Sequence, residues 1–309
     1  MKEKRTLVST LLVLIFLCCA GSMPNASATT GRVEVPFDLY HNSIVVQAKV
    51  DGKGPFNMLL DTGVDPSVID LGTAREIGLK IGSTGEQGSG SGTETNLAYE
   101  TKLPVLELGG LKATNIDALA LDLSKTSATL GRPLQGVLGY SLLKDRVVQI
   151  DYPKRVARFY SKSPLSKAVR QARGSRLTTL PFRYQDDILV DGISVNGKKV
   201  LANLDTGSDG TFQLTPAAVA QLGLEEEVGK ARVSRSVGFN GSTENREGTV
   251  KNVTLGGISV DSPKVVFYGK NTGRDNQAWG LRIGNAFLKD FVVTVDYQNH
   301  VITLKKPWR

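Results

Sequence analysis

Short runs of branched apolar residues, separated by turns rich in Gly, Asn and Asp, dominate the hydrophobic pattern of the chain. Ile44–Val50 and Ile188–Val195 are strand-like runs, and each meets a strong hairpin turn, Asp51-Gly52 and Asn196-Gly197. A further apolar strand follows each turn and ends on Asp-Thr-Gly, at Asp61 and at Asp205. Strand pairs are predicted at Val147–Tyr152 with Val156–Tyr160, and at Val292–Tyr297 with Val301–Lys305. Helical signals are few. Leu71–Ile77 and Pro216–Leu222 are predicted as short helices, the second with Thr215 as N-cap and Pro216 in the first turn. Gly85–Gly92 and Gly238–Ser242 are poor in apolar residues and read as mobile hairpin tips.

The pattern occurs twice. Val35-Pro36-Phe37, Ile44-Val45-Val46, Leu59-Leu60-Asp61-Thr62-Gly63 and Ile77-Gly78-Leu79 are answered by Leu180-Pro181-Phe182, Ile188-Leu189-Val190, Asn203-Leu204-Asp205-Thr206-Gly207 and Leu222-Gly223-Leu224. The two aspartates are 144 residues apart. Further on, Leu138-Gly139-Tyr140 matches Ile283-Gly284-Asn285 at an offset of 145. Two copies of such a unit give two lobes rather than a solenoid. The expected layout is a signal segment at 1–28, a first lobe at 29–161, a basic linker at 162–176 and a second lobe at 177–309.

Composition narrows the chemistry. At 309 residues, 40% hydrophobic and 22% charged, the chain is neither disordered nor a multi-span membrane protein. Its two cysteines, Cys18 and Cys19, lie in the N-terminal apolar run, and only His41 and His300 supply imidazoles. Disulfides, a thiolate nucleophile and a His- or Cys-rich metal site are therefore not expected, and no cofactor is called for. The net charge of +8 owes much to Lys162, Lys167, Arg170, Arg173 and Arg176. Without interleaved aromatics, and with Ser, Gly and Pro among them, these residues read as a solvated linker rather than a nucleic-acid surface.

The N-terminus reads as an address. Met1–Arg5 is basic, Leu7 to Ala20 is apolar but short for a membrane span, and Ala26-Ser27-Ala28 is a small-x-small cleavage site. Export with cleavage after Ala28, to a secreted or periplasmic location, is the expectation. Retention of the run as an anchor, or lipidation of Cys18 or Cys19, are the alternatives.

A single Asp-Thr-Gly is an ordinary turn sequence. Two, at the same repeat position and each ending an apolar strand, are not explained by packing, which gives no reason to finish two core strands on carboxylates. With the downstream segments Val137-Leu138-Gly139 and Arg282-Ile283-Gly284, the set resembles the aspartic proteases. The fused two-lobe arrangement is similar to pepsin, and the short lobes with their closing hairpins resemble bacterial secreted retropepsin-like enzymes. The resemblance implies a mostly β acid-protease fold: two retropepsin-like β-barrel lobes related by a pseudo-two-fold axis, with few short helices. It implies Asp61 and Asp205 as a catalytic pair that activates water, with no metal and no cofactor. Thr62 and Thr206 would lock the two loops together across the lobes, and Gly63 and Gly207 would bring backbone N–H groups to the carboxylates. Ser208 matches the family's small hydroxyl after the glycine. Val64 and Arg282 depart from the pattern.

The implied function is an exported aspartic endopeptidase, monomeric because both loops lie in one chain, acting on peptide or protein substrates. A catalytically silent peptide-binding module with the same fold is the alternative, and a basic envelope-surface protein acting through Lys162–Arg176 is a third reading. A substrate-covering flap is expected near Glu86–Tyr99, with a second candidate at Gly238–Glu247; Tyr99 itself reads as a strand residue facing the core, with the aromatic of the flap as the alternative. Asn240-Gly241-Ser242 and Asn252-Val253-Thr254 fit the N-glycosylation pattern.

Overall fold

The computed structural model describes residues 31–88, 92, 94, 96–270 and 277–307. The signal segment predicted over residues 1–28, with Cys18 and Cys19, lies outside them, as do residues 89–91 of the first predicted hairpin tip.

The hairpin turns organise each lobe. Strand Ser43–Val50 turns into strand Lys53–Leu60, and strand Asp187–Val195 into Lys198–Leu204. At the turns, Asp51 and Gly52 have φ of +52° and +75°, and Asn196 and Gly197 have +50° and +78°. Two successive residues in the left-handed region suit the right-handed twist of the strands they join, and Asn, Asp and Gly tolerate it best.

Three further strands then set the position of each Asp-Thr-Gly. In the first lobe Lys53–Leu60 runs parallel to Gly136–Leu138, which is antiparallel to Ser67–Asp70, which in turn runs parallel to Leu111–Leu121. The second lobe repeats this with Lys198–Leu204, Leu281–Ile283, Phe212–Leu214 and Lys264–Tyr268. The chain therefore leaves one strand at the aspartate, loops over a neighbour and returns beyond it. The Asp61 N–H donates to Leu138 O and the Asp205 N–H to Ile283 O, both at 3.0 Å, so each aspartate is pinned to the strand that crosses beside it.

The lobes are joined by a six-stranded antiparallel sheet in the order Arg32–Pro36, Val156–Tyr160, Val147–Asp151, Val292–Asp296, Val301–Lys305 and Leu177–Gln185. At its centre Val147 pairs with Asp296 and Asp151 with Val292, while Gln149 faces Thr294 and donates to it at 3.2 Å. Repeat mates facing each other in an antiparallel pair are the signature of a two-fold axis, here one that relates two halves of a single chain.

Alternation along the strands divides the apolar residues between two faces. Leu60, Leu138, Val148, Leu204, Ile283 and Val293 belong to one core that runs through both lobes. Leu59, Val68 and Val137 point the other way and form a second buried cluster with Val45, Ala98 and Leu121. The helices are short. Leu71–Glu76 is capped by Asp70, whose carboxylate accepts from the Thr73 N–H at 2.9 Å, and Pro216–Leu222 by Thr215, whose hydroxyl accepts from the Ala218 N–H at 3.2 Å. Between the lobes, Ser166 caps a one-turn helix at Lys167–Arg170, and Thr179 ties this stretch to the central sheet through Val169 O and Ala172 O. Among the described residues, no helix is long and apolar enough to cross a membrane.

Candidate active site

The two Asp-Thr-Gly loops meet at the pseudo-two-fold axis, and their threonines interlock. The Thr62 N–H donates to Thr206 Oγ1 at 3.0 Å, and Thr206 Oγ1 donates to Leu60 O at 2.9 Å. Reciprocally, the Thr206 N–H donates to Thr62 Oγ1 at 3.0 Å, and Thr62 Oγ1 donates to Leu204 O at 3.0 Å. Both threonines are buried, so four backbone groups that would otherwise be unpaired find partners across the lobe boundary. A hydroxyl serves here because it donates and accepts at once.

The glycines that follow allow close approach. A Cβ on Gly207 would stand 2.1 Å from Asp61 Oδ2, and one on Gly63 2.7 Å from the carboxyl carbon of Asp205. Without those atoms each loop lies against the other lobe's carboxyl group. The Gly63 N–H donates to Asp61 Oδ1 at 2.7 Å and the Gly207 N–H to Asp205 Oδ1 at 2.8 Å. Asp61 and Asp205 are both buried, each against the loop that carries the other. Burial pushes Asp61 well above the usual carboxylate range, and the charge of Asp205 pushes it in the same direction. The Gly63 N–H, and more weakly Arg282, oppose this.

Residues 46–142 and 192–285, more than half of the chain, match the family model described as aspartyl protease. The two matched spans hold one Asp-Thr-Gly each. The chain belongs to the aspartyl protease family. No curated protein matches it.

In this member of the family the two halves of the site are furnished differently. The Ser208 hydroxyl donates to Gln213 Oε1 at 3.2 Å. The group on Asp205 Oδ2 is instead the guanidinium of Arg282, with Nη1 at 3.0 Å. Asn285 donates from Nδ2 to Thr206 O at 2.6 Å, and Tyr152, reaching over from the central sheet, donates to Asn285 Oδ1 at 2.5 Å. The repeat mates of Asn285 and Tyr152 are Tyr140 and Tyr297. There Tyr140 stacks on Tyr184 with ring centroids 3.6 Å apart, and the buried hydroxyl of Tyr297 has no hydrogen-bond partner among the described residues. Val64 packs against the apolar cluster of the first lobe.

Two hairpins approach each other. In the first lobe Gly85–Gln87 pairs with the start of Leu97–Leu108; in the second Arg232–Gly238 pairs with Gly241–Thr249. Their tips are joined: Asn240 Nδ2 donates to Gly88 O at 2.9 Å, Asn96 Nδ2 to Phe239 O at 3.2 Å, and the Glu94 N–H to Asn240 O at 2.9 Å. Phe239 packs its ring against the apolar cluster of the first lobe. Tyr99 packs against the main core. Asn240 is buried and its amide nitrogen is hydrogen-bonded, so in this arrangement it presents no acceptor site for a glycan.

The repeat alone reaches Asp61, Thr62, Gly63, Asp205, Thr206 and Gly207, because all six stand at equivalent positions. It does not reach Asn285, Tyr152 or Phe239. Arg282 carries a visible signal, a charged residue where its mate Val137 is apolar, but its contact with Asp205 depends on the strand crossing. Among the described residues no group of three or more His, Cys, Asp or Glu side chains is arranged to hold a metal ion.

Proposed function

We propose that this protein is an exported aspartic endopeptidase in which Asp61 and Asp205 hydrolyse peptide bonds by activating a water molecule held between them. The observation that carries this reading is the pair of buried carboxyls brought together on two loops locked by Thr62 and Thr206. Two such carboxyls cannot both ionise cheaply, so they share one proton, which gives a base and an acid within reach of one substrate carbonyl. The pair titrates as a unit, and activity falls outside the window between its two apparent pKa values. The joined hairpins are the proposed flaps: an extended peptide enters once the tips part, and their closure excludes water. Since one chain supplies both loops, the working unit is a monomer. The basic and apolar N-terminal segment supports export.

A silent peptide-binding module is the second reading, and the Arg282–Asp205 ion pair favours it, because a carboxylate neutralised by a cation is a weaker base. Digestion of a peptide library by residues 29–309 between pH 3 and 8, with Asp61→Ala as control, separates the two. Cleavage lost in the variant supports the protease; peptides bound but uncut by the wild type support the module.

A further inference from the structure

Symmetry between the lobes stops at the carboxyl groups. On the strands that support each loop, Leu59 corresponds to Asn203, Val68 to Gln213 and Val137 to Arg282. In the first lobe these positions are apolar and share a buried cluster. In the second they are polar and bonded. Arg282 Nη1 lies 3.0 Å from Asp205 Oδ2, and its Nε donates to Asn203 Oδ1 at 3.2 Å. The guanidinium lies over the Trp279 ring, 4.6 Å from its centroid. Behind it Asp187 accepts from Trp279 Nε1 at 2.8 Å and from Asn203 Nδ2 at 3.1 Å. The guanidinium is thus held by a ring face and by a side chain that is itself anchored. The side chains of Arg282 and Asp205 are only 8% and 7% exposed, so solvent screens their attraction weakly.

Resting on the reading of Asp61 and Asp205 as a proteolytic pair, we propose that Arg282 is a positioning residue that makes the dyad asymmetric, holding Asp205 as the ionised base and leaving the shared proton on Asp61. A cation in contact with one carboxylate and more distant from the other stabilises the negative charge on the nearer. Both carboxyls are buried, so burial opposes charge on either one, and the guanidinium decides which of them carries it. The other groups facing the pair are Tyr152 and Tyr297 at the ends of the central sheet strands, Asp209 on the loop after Asp205 with His41 beyond it, and Asp187 and Tyr268 around Arg282. Of these, Arg282 is the cation that touches a dyad oxygen.

The roles follow in balanced steps. Asp205 takes a proton from water as the water oxygen bonds to the substrate carbonyl carbon, and the carbonyl oxygen takes the proton of Asp61. The product is a neutral gem-diol, with Asp205 now protonated and Asp61 ionised. Asp61 then removes a proton from one diol hydroxyl, the C–N bond breaks, and the leaving nitrogen takes the proton of Asp205. The dyad returns to its starting charge state.

The test compares Arg282→Gln and Arg282→Lys with the wild type by the pH profile of kcat/KM and by 13C NMR titration of Asp61 and Asp205, assigned with the Asp61→Asn variant. Arg282→Gln is expected to move both limbs of the profile upward by about 1–3 pH units, the effect of removing an adjacent cation, and Arg282→Lys to restore most of the shift. In the wild-type titration the first ionisation of the pair is expected to leave Asp61 protonated. An unmoved profile in Arg282→Gln, or Asp61 ionising before Asp205, overturns the proposal. Should Arg282→Gln not fold, the wild-type titration and the Lys variant decide it alone. If the wild type cleaves no peptide, the protease reading fails, while the order of ionisation still tests the role of Arg282.

Discussion

A carboxyl group that is protonated in the fold and ionised in the unfolded chain reduces stability as pH rises. Asp61 is such a group. Above the ordinary aspartate pKa of about 4, unfolding lets it release a proton, so its contribution grows more unfavourable until the folded value is passed. Asn has no proton to lose. Asp61→Asn is therefore expected to match the wild type near pH 3 and to exceed it in stability near pH 7, in urea titrations at the two pH values. Asp205→Asn is expected to do the opposite. It takes the carboxylate from a buried guanidinium, and breaking a buried ion pair from one side costs about 3 kcal/mol or more. Equal effects of the two substitutions would mean that the charge is not unevenly divided. Asp61 and Asp205 are legible as residues because the repeat marks them. The difference between them is not, because Arg282 lies 77 positions from Asp205 in the chain and meets it only where strand Leu281–Ile283 crosses strand Lys198–Leu204.

Secondary structure was legible where local chemistry decides it. The strands beside Asp51-Gly52 and Asn196-Gly197 are announced by turn residues that settle comfortably at positive φ. The helices at Leu71–Glu76 and Pro216–Leu222 were legible and follow the capping side chains Asp70 and Thr215, whereas the one-turn helix at Lys167–Arg170, capped by Ser166, lies in the stretch that reads as a linker. Ser124–Leu130, Tyr140–Leu143 and Glu225–Lys230 begin at Leu123, Gly139 and Leu224 without a side-chain cap, and packing rather than local sequence shapes them. The joined hairpins were legible as hairpins but not as a pair, since the contact between Phe239 and the first lobe's apolar cluster links residues far apart in the chain. That contact predicts a response. Truncating a half-buried phenylalanine removes on the order of 1 kcal/mol of apolar burial, so Phe239→Ala should open the tip contacts more often. Hydrogen exchange should show the Glu94 amide, bonded to Asn240 O, exchanging several-fold faster while the Val148 amide of the central sheet is unchanged. Protection at Glu94 equal to that of the wild type would show that Phe239 does not hold the tips together.

The whole molecule joins the two halves more firmly than a linker would. Strands of both lobes share one sheet, repeat mates Val147–Asp151 and Val292–Asp296 lie side by side, and four buried hydrogen bonds tie the two active-site loops. An apolar core runs through both lobes without a break. Exchange of lobes between molecules would require all of these contacts to separate together, and seams of this kind open only with unfolding of the whole. Each site therefore draws both aspartates from one chain. Two variants expected to be inactive, Asp61→Asn and Asp205→Asn, provide a direct check. In a dimer with one aspartate from each subunit, mixing them would regenerate a fraction of sites with two intact carboxyls, and turnover would return. In this protein the mixture is expected to stay as inactive as either variant alone, even after prolonged incubation at high concentration. The wild type should show turnover per molecule independent of dilution and a light-scattering mass close to that of one chain. Recovery of activity on mixing, or turnover per molecule that rises with concentration, would show that the sites form between chains and that the single-chain dyad is wrong.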